Sequence, residues 1–322
     1  MNKPEFEFLF PKPVLTILVG LPGSGKSTVA EQLKKSQPNV EIFSSDEYRE
    51  RYCGDVNNQT KNEKIFRLLY TDLREALLLG KNCILDATNI NRKARKKCLE
   101  KFSDLAIETV AYFVDTEFEV CIQRDAQRSR TVGKGVIEKF LHMFEFPQYF
   151  EGFDRIYIHS KINTKANVYN QKTEEMFLNQ MNEFDQHNSH HMYTVGEHCS
   201  RLALQINTKK DRVMHEAGWF HDVGKLYTQK FDENGIAHYY NHDSVGAYVV
   251  ACHPEVLYEV TEWYNVYEVI FYINYHMRAH HDLQGHKAQD KYRKLFGDDR
   301  FNKLMQFGEY DRIASGTYEG EN

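Results

Sequence analysis

The residues best equipped for chemistry are a lysine behind a run of glycines and, far downstream, an ordered set of histidines and aspartates. The run Gly20-Leu-Pro-Gly-Ser-Gly-Lys-Ser-Thr28 has the spacing GxxxxGK[ST]. It follows a short apolar stretch, Val14 to Val19, and precedes a helical one, Val29 to Lys35. That strand–loop–helix context is what a phosphate cradle requires. Gly20, Gly23 and Gly25 let the backbone fold tightly, so that amides from Ser24 to Thr28 can point at phosphate oxygens. The N-terminal end of the following helix adds partial positive charge. Lys26 would reach the β- and γ-phosphates, and the Ser27 hydroxyl would hold Mg²⁺, so ATP is the expected ligand.

A phosphate cradle does not name the acceptor. After the next strand, Val40 to Ser44, come Asp46 and Arg49. Ligands of open α/β sheets gather at the carboxyl ends of the strands. There Asp46 could accept a hydroxyl proton and Arg49 could hold an anionic part of the acceptor. A helix cap with a solvated arginine explains the same two residues. Asp86 ends a third strand, Asn82 to Asp86, and could order Mg²⁺ or position the acceptor. Beyond a fourth strand, Glu108 to Val114, Arg124 and Arg128 are spaced to share one helix face and close over a transferring phosphoryl group. An exposed, salt-bridged helix would carry the same spacing. The basic run Arg92 to Lys97 could track a nucleic-acid backbone, but a solvated helix face is the simpler reading.

The second half has a different chemistry. Of the fifteen histidines only His142 and His159 precede residue 161. His198, the adjacent His221 and Asp222, His242, His276 and Asp311 form a set of imidazoles and carboxylates suited to a divalent transition metal, or two. Such metal lowers the pKa of a bound water and neutralises phosphoester oxygens. His221-Asp222 lies between Trp219-Phe220 and Val223-Gly224, and burying that polar pair without a cation would be costly. Lys225 could meet a substrate phosphate. His191 could line the site. His215, His238, His253, His280, His281 and His286 are read as structural or surface residues.

These groups need two kinds of scaffold. The first half alternates short apolar strands with helical segments, which gives a parallel sheet flanked by helices. The second half has apolar spacing near 3.6, as in Trp263 to Tyr275, which gives an all-α domain. A polar, amide-rich stretch between Ser160 and Asp185 separates them, and we place the domains at residues 1–165 and 166–322. At 322 residues, 41% hydrophobic and 27% charged, the composition is that of a globular protein. No apolar run is long enough for a bilayer, and the first ten residues lack a signal-peptide pattern. Six cysteines without a CxxC pair fit a reducing cytoplasm. A net charge of −5 excludes a wholly basic nucleic-acid coat, but not a local basic site.

The phosphate loop, the Ser44-x-Asp46-x-x-Arg49 run, the Asp86-x-Thr-Asn89 turn, the arginines near residue 124 and the segment Gly152 to Ile158 together resemble the kinase module of the polynucleotide 5′-kinase family. The resemblance implies that Asp46 is the general base on a 5′-hydroxyl and that Arg49 contacts the acceptor's phosphate. It makes Arg124 and Arg128 lid residues. The motifs around His198, His221-Asp222, His242, His276 and Asp311 resemble the HD phosphohydrolase superfamily. That implies a principal metal on His198, His221, Asp222 and Asp311, with His242 and His276 completing a second metal site or binding phosphate. The metal could be Mn²⁺, Ni²⁺, Co²⁺, Fe²⁺ or Zn²⁺. The expected fold is an α/β P-loop kinase domain followed by an all-α HD domain. The expected activity is healing of RNA or DNA ends, 5′-OH on one side and 3′-phosphate or 2′,3′-cyclic phosphate on the other, for an RNA ligase to join. The alternative is a small-metabolite kinase fused to a nucleotide phosphohydrolase, favoured by the acidic balance and the lack of an evident aromatic stacking platform.

Overall fold

The computed structural model describes residues 12–37, 39–56, 60–161, 163–187, 192–281, 283 and 285–316. His190, His191 and the first ten residues lie outside them. The chain divides into two compact units. The first ends at Gly133 and takes in Pro147–Ser160; the second comprises Lys134–Phe146 and the chain from Lys161 onward.

The first unit alternates strands and helices: β1 Val14–Val19, α1 Lys26–Ser36, β2 Val40–Ser44, α2 Ser45–Cys53, α3 Asn62–Leu78, β3 Asn82–Asp86, α4 Arg92–Leu99, β4 Glu108–Phe113, α5 Phe118–Ala126 and β5 Arg155–Ile158. The strand order is β2-β3-β1-β4-β5, and every pairing is parallel. A parallel sheet with helices on its faces has no wet side, so its strands are continuous apolar runs rather than alternating ones. In β1, Leu15, Ile17, Leu18 and Val19 are all fully buried. The register sets Val19 opposite Phe113 and Ser44 opposite Asp86. The loops that follow β1, β2 and β3 therefore emerge along one edge of the sheet, and these loops carry the candidate phosphate and acceptor groups.

The basic run on α4 is not a uniformly solvated face. Arg95 is fully buried. Its Nε and Nη2 donate to the two carboxylate oxygens of Glu151 at 2.8 and 2.7 Å, and its Nη1 donates to the carbonyl of Asn89 at 3.0 Å. Neither partner's side chain has any solvent exposure. This fork fastens α4 to the turn before β5 and to the turn that follows Asp86.

The second unit is mostly helical: α6 Lys134–Leu141, α7 Gln171–Glu183, α8 Val195–Ala203, α9 Arg212–Phe220, α10 Lys225–Thr228, α11 His242–Cys252, α12 Trp263–His280, α13 His286–Phe296 and α14 Asp298–Ala314. A two-stranded antiparallel ribbon, β6 Lys230–Phe231 with β7 Ala237–His238, interrupts the helices. The expectation of an all-α domain did not include it. α12 is buried from Val266 to His276 almost without interruption, because α9, α11 and α14 pack around it. The segment after α6 joins this unit through Asn274 on α12. Its amide donates to the Phe144 carbonyl at 3.1 Å, and its side-chain oxygen accepts the Phe146 N–H at 2.9 Å.

Glu216 on α9 is buried and accepts the backbone N–H groups of Tyr258 and Glu259, each at 3.2 Å. Burial pushes its carboxyl up from 4.5 to about 7, against those hydrogen bonds, and the carboxylates of Glu174 and Glu259 add to the rise.

Two predictions follow from these buried charges. Removing one partner of a buried pair strands the other, so Arg95→Ala is expected to cost roughly 3–5 kcal/mol in chemical denaturation. The double substitution Arg95→Met with Glu151→Leu should cost less. Glu216 binds its proton more tightly folded than unfolded, so stability should fall as pH rises from 4.5 towards 7. Denaturation at about pH 5 and about pH 8 should show a smaller pH-dependent loss for Glu216→Gln than for the natural chain.

Candidate active sites

The first site is the loop between β1 and α1. Gly23 and Gly25 adopt φ of 88° and 96°, the left-handed region that favours glycine. A Cβ on Gly23 would lie 2.3 Å from the carbonyl oxygen of Cys121, so the loop also needs glycine there for space. Gly20 and buried Ser24 complete the loop, and Ser27 and Thr28 are exposed in the first turn of α1. The buried Lys26 ammonium donates to the carbonyls of Gly20 at 3.0 Å and Leu21 at 2.8 Å. Burial lowers its pKa to about 8, although Asp86 pulls upward. A phosphate placed there would supply the missing negative charge. The Ser27 hydroxyl donates to Asp86 Oδ2 at 2.7 Å, which brings a hydroxyl and a buried carboxylate together as a Mg²⁺ site would need.

The acceptor candidates sit on α2. The helix cap is Ser44, whose side chain accepts the Glu47 N–H, so Asp46 is left free of that duty. Arg49 is buried rather than solvated, with Nε donating to Asn62 Oδ1 at 3.0 Å and Nη1 to Asp46 Oδ1 at 2.5 Å. Arg130 donates to the other Asp46 oxygen at 3.1 Å. Sequence reasoning did not single out Arg130, which lies two residues beyond the spacing it was following. Arg124 on α5 donates to the Ser24 carbonyl at 3.2 Å, directly on the phosphate loop. The expectation that Arg124 and Arg128 share a helix face fails, because α5 ends at Ala126. The buried Asp125 carboxylate collects the N–H groups of Val132 and Gly133 at 3.0 and 2.9 Å, turning the chain away. Arg128 and Arg130 consequently ride on a loop.

The second site is a buried cluster. His198 comes from α8, His221 and Asp222 from the turn after α9, His242 from the start of α11, His276 from α12 and Asp311 from α14. All six are buried, His221 and His276 completely. Gly224 makes the turn possible, since a Cβ there would fall 2.0 Å from the His242 carbonyl oxygen. Asp222 Oδ1 lies 3.0 Å from His242 Nε2 and 3.6 Å from His276 Nε2. Asp222 Oδ2 lies 3.3 Å from His198 Nε2 and 3.5 Å from His221 Nε2. Asp311 Oδ1 is 2.9 Å from His198 Nε2 and 3.4 Å from His221 Nε2.

The ring nitrogens fit a metal. His221, His242 and His276 place Nδ1 on the carbonyls of Gly218, Tyr239 and Ile273 at 3.0, 2.8 and 2.8 Å. A neutral ring donating there turns its Nε2 lone pair inward. Yet His198 and His221 meet Nε2 to Nε2 at 3.1 Å, as do His242 and His276. Facing lone pairs repel, so each pair calls for positive charge beside it. Burial alone would raise the Asp222 carboxyl, but Lys225 and His221 hold it well below the usual range. Burial likewise opposes the Asp311 shift, while His221 and His198 draw that carboxyl well down. Three groups of these atoms lie close enough to hold a cation: His198 with His221 and Asp311, Cys199 with His221 and Asp222, and Asp222 with His242 and His276. Buried Cys199 lies beside the first, its Sγ 3.6 Å from His221 Nδ1.

The cluster opens into a cleft of about 600 Å³ lined by Lys225, His280 and Arg312 among others. Lys225 donates to Asp222 Oδ2 at 2.7 Å and Gln186 Oε1 at 2.8 Å, leaving one ammonium proton for a ligand. His280, read from sequence as structural, bonds Asp311 Oδ2 through Nε2 at 2.9 Å. Its signal was available, since it lies one helical turn beyond His276.

Residues 15–147 match the family model of the AAA domain, and residues 188–306 match that of the HD domain. The chain joins an AAA-type P-loop domain to an HD domain. Over 172 residues, 49% of the chain, it is 28% identical to the transcription factor bHLH140 of Arabidopsis thaliana, covering 17% of that protein. Over 156 residues, 42% of the chain, it is 26% identical to a protein of Autographa californica nuclear polyhedrosis virus provisionally named a bifunctional polynucleotide kinase/RNA ligase, covering 22% of it. The chain thus spans less than a quarter of the length of these curated relatives. Among solved structures, a chain of the Pnkp1/Rnl/Hen1 RNA repair complex is 24% identical, with a TM-score of 0.38, over 42% of this chain and 44% of that one. Among the described residues no helix is long and apolar enough to cross a membrane.

Metal analysis separates the two ways of charging the HD cluster. The purified chain should hold up to about two divalent ions, with His276→Ala losing one and Asp222→Ala both. Chelation should lower the thermal midpoint of the natural chain and leave Asp222→Ala unmoved. If no metal is found and chelation changes nothing, protons bridge the facing nitrogens instead.

Proposed function

We propose that this chain heals broken RNA ends, its P-loop domain phosphorylating a 5′-hydroxyl from ATP and its HD domain removing a 3′-phosphate or opening a 2′,3′-cyclic phosphate. The observation that carries the reading is the pairing, in one chain, of a phosphate cradle facing a carboxylate–arginine pair with a buried metal-type cluster. The viral relative's name, which couples a polynucleotide kinase to an RNA ligase, supports RNA as the substrate and a ligase as the next enzyme to act.

In the kinase reaction, Lys26 leaves the carbonyls of Gly20 and Leu21 for the β- and γ-phosphates. Ser27 and Asp86 would hold the Mg²⁺ that accompanies ATP. Asp46, fixed by Arg49 and Arg130, takes the proton of the attacking hydroxyl. Arg49, itself anchored on Asn62, offers its remaining donors to a phosphate of the acceptor. Arg124, bonded to the phosphate loop, and Arg128 and Arg130, on the loop after α5, would neutralise charge that develops on the transferring group. In the HD site His198, His221, Asp222, Asp311, His242 and His276 would hold one divalent metal or two. A metal bound there supplies an activated water at neutral pH and neutralises phosphoester charge. Lys225 and His280 face the same cleft, where the ammonium can hold a phosphate oxygen and the imidazole can give a proton to the departing one.

A short RNA with a 5′-OH and a 2′,3′-cyclic phosphate, incubated with ATP, Mg²⁺ and Mn²⁺, tests both halves. The natural chain should change both ends. Lys26→Ala should lose 5′-phosphorylation by roughly 100-fold or more and keep 3′ processing, and Asp222→Ala should do the reverse. If neither end changes while small phosphoesters or metabolites react, a metabolite kinase joined to a nucleotide phosphohydrolase is the correct description.

A further inference from the structure

A second cleft in the P-loop domain is used by neither site. It measures about 810 Å³ and is walled by the outer face of α3 and the end of α4. Five cations line it: Lys61, Lys64, Arg67, Lys97 and Lys101. Their side-chain charges have no ion-pair partner among the described residues, and a single carboxylate, Glu63, lines the same cleft. A further lining residue, Arg74, is neutralised by Asp104. Lys61 and Lys64 sit at the N-terminal end of α3, where the helix dipole disfavours positive charge. Concentrating cations there works against helix stability and in favour of binding an anion.

The cleft is not only charged. Phe66 and Tyr70, one turn apart on α3, line it as half-buried rings with centroids 5.6 Å apart. Tyr70 is braced edge-on by Phe102 at 5.8 Å. Basic groups interleaved with rigid aromatic rings are how proteins hold single-stranded nucleic acid, cations on the backbone and rings under the bases. Position matters as well. Asn62, the first residue of α3, anchors Arg49, and the Tyr48 hydroxyl donates to Asp72 on α3 at 2.6 Å. The helix that walls the cleft therefore also fixes the acceptor residues, and one end of the cleft, at Lys61, adjoins them. From Lys61 to Arg74 the helix runs about 20 Å, room for a few nucleotides.

We propose that this cleft binds the single strand trailing from the 5′-hydroxyl acceptor, with phosphates on Lys61, Lys64, Arg67, Lys97 and Lys101 and a base against Phe66 or Tyr70. The proposal rests on reading the P-loop site as a polynucleotide kinase. A metabolite kinase has no need of such a track.

The test uses the full chain and the triple variant Lys64→Ala, Lys97→Ala, Lys101→Ala, whose side chains are all exposed. Fluorescence anisotropy with a 3′-labelled single-stranded RNA of about 12 nucleotides reads binding directly. Each cation removed should flatten the slope of log affinity against log salt by about 0.7, so the triple variant should lose about two units of slope. In kinase assays KM for that RNA should rise at least about tenfold with kcat little changed, while KM for a 5′-OH dinucleotide stays put. The triple Lys→Arg variant should restore binding. Unchanged binding and unchanged KM for the long RNA would overturn the cleft and leave the kinase reading intact. If the natural chain phosphorylates neither substrate, the kinase reading falls, and anisotropy alone decides: lost binding upholds a nucleic-acid site, unchanged binding removes it.

Discussion

A carboxylate taken out of water must find hydrogen-bond donors or positive charge for each oxygen, and Asp222 organises the HD domain on those terms. Its Oδ2 is held by Lys225 at 2.7 Å and its Oδ1 lies 3.0 Å from His242. Around it α8, the α9 turn, α11, α12 and α14 each contribute one end of the cluster. Three of the imidazoles are fixed by backbone carbonyls three residues earlier in the chain, which holds their second nitrogens towards the cluster. The cluster is therefore built before any ligand arrives. A cation bound there ties five helical elements together, which makes metal affinity part of folding free energy.

The P-loop domain meets the same constraint by a different route. Its candidate groups lie just beyond the ends of parallel strands, and buried pairs set their positions from behind. Arg95, itself held by Glu151, donates to the Asn89 carbonyl, and the Asn89 side-chain amide reaches the Leu18 carbonyl of β1 at 2.9 Å. That pins the turn after Asp86 against the strand that launches the phosphate loop. Asp86 in turn orients Ser27. Lys26, depressed by burial to about 8, is left short of negative charge. A bound phosphate completes the set, so nucleotide binding and the electrostatic balance of the loop are one event.

The strands were legible because each is a short apolar run closed by turn residues, and the ranges read for β1, β2 and β3 match the structure residue for residue. The six histidines and aspartates proposed as ligands were legible for a related reason. Polar side chains that break an apolar helix pattern stand out, and the fold gathers those six in one cluster. What escaped was decided by contacts distant in sequence. Arg95 looks like any member of a basic run until Glu151, fifty-six residues on, is seen to bury it. Nothing in the spacing of Arg124 and Arg128 shows that Asp125 will end the helix by capturing amides at Val132 and Gly133. Phe66 and Tyr70 do not look like a stacking platform until α4 and its lysines are laid beside α3.

That last case changes the weight of the net charge. A total of −5 averages over the whole surface, but in physiological salt charges act over only about 8 Å. A polyanion entering the cleft beside α3 meets five lining cations without an ion-pair partner among the described residues and one lining carboxylate. The two arguments for a small substrate, acidic balance and no aromatic platform, therefore both lose force at the same place on the molecule. They fail for one physical reason: composition is a sum over the chain, whereas recognition depends on what two particular helices bring within reach of a ligand. Because α3 also anchors Arg49, a strand held in that cleft would be held in register with the hydroxyl to be phosphorylated, and part of the cost of orienting the acceptor would be met by binding energy remote from the reacting atoms.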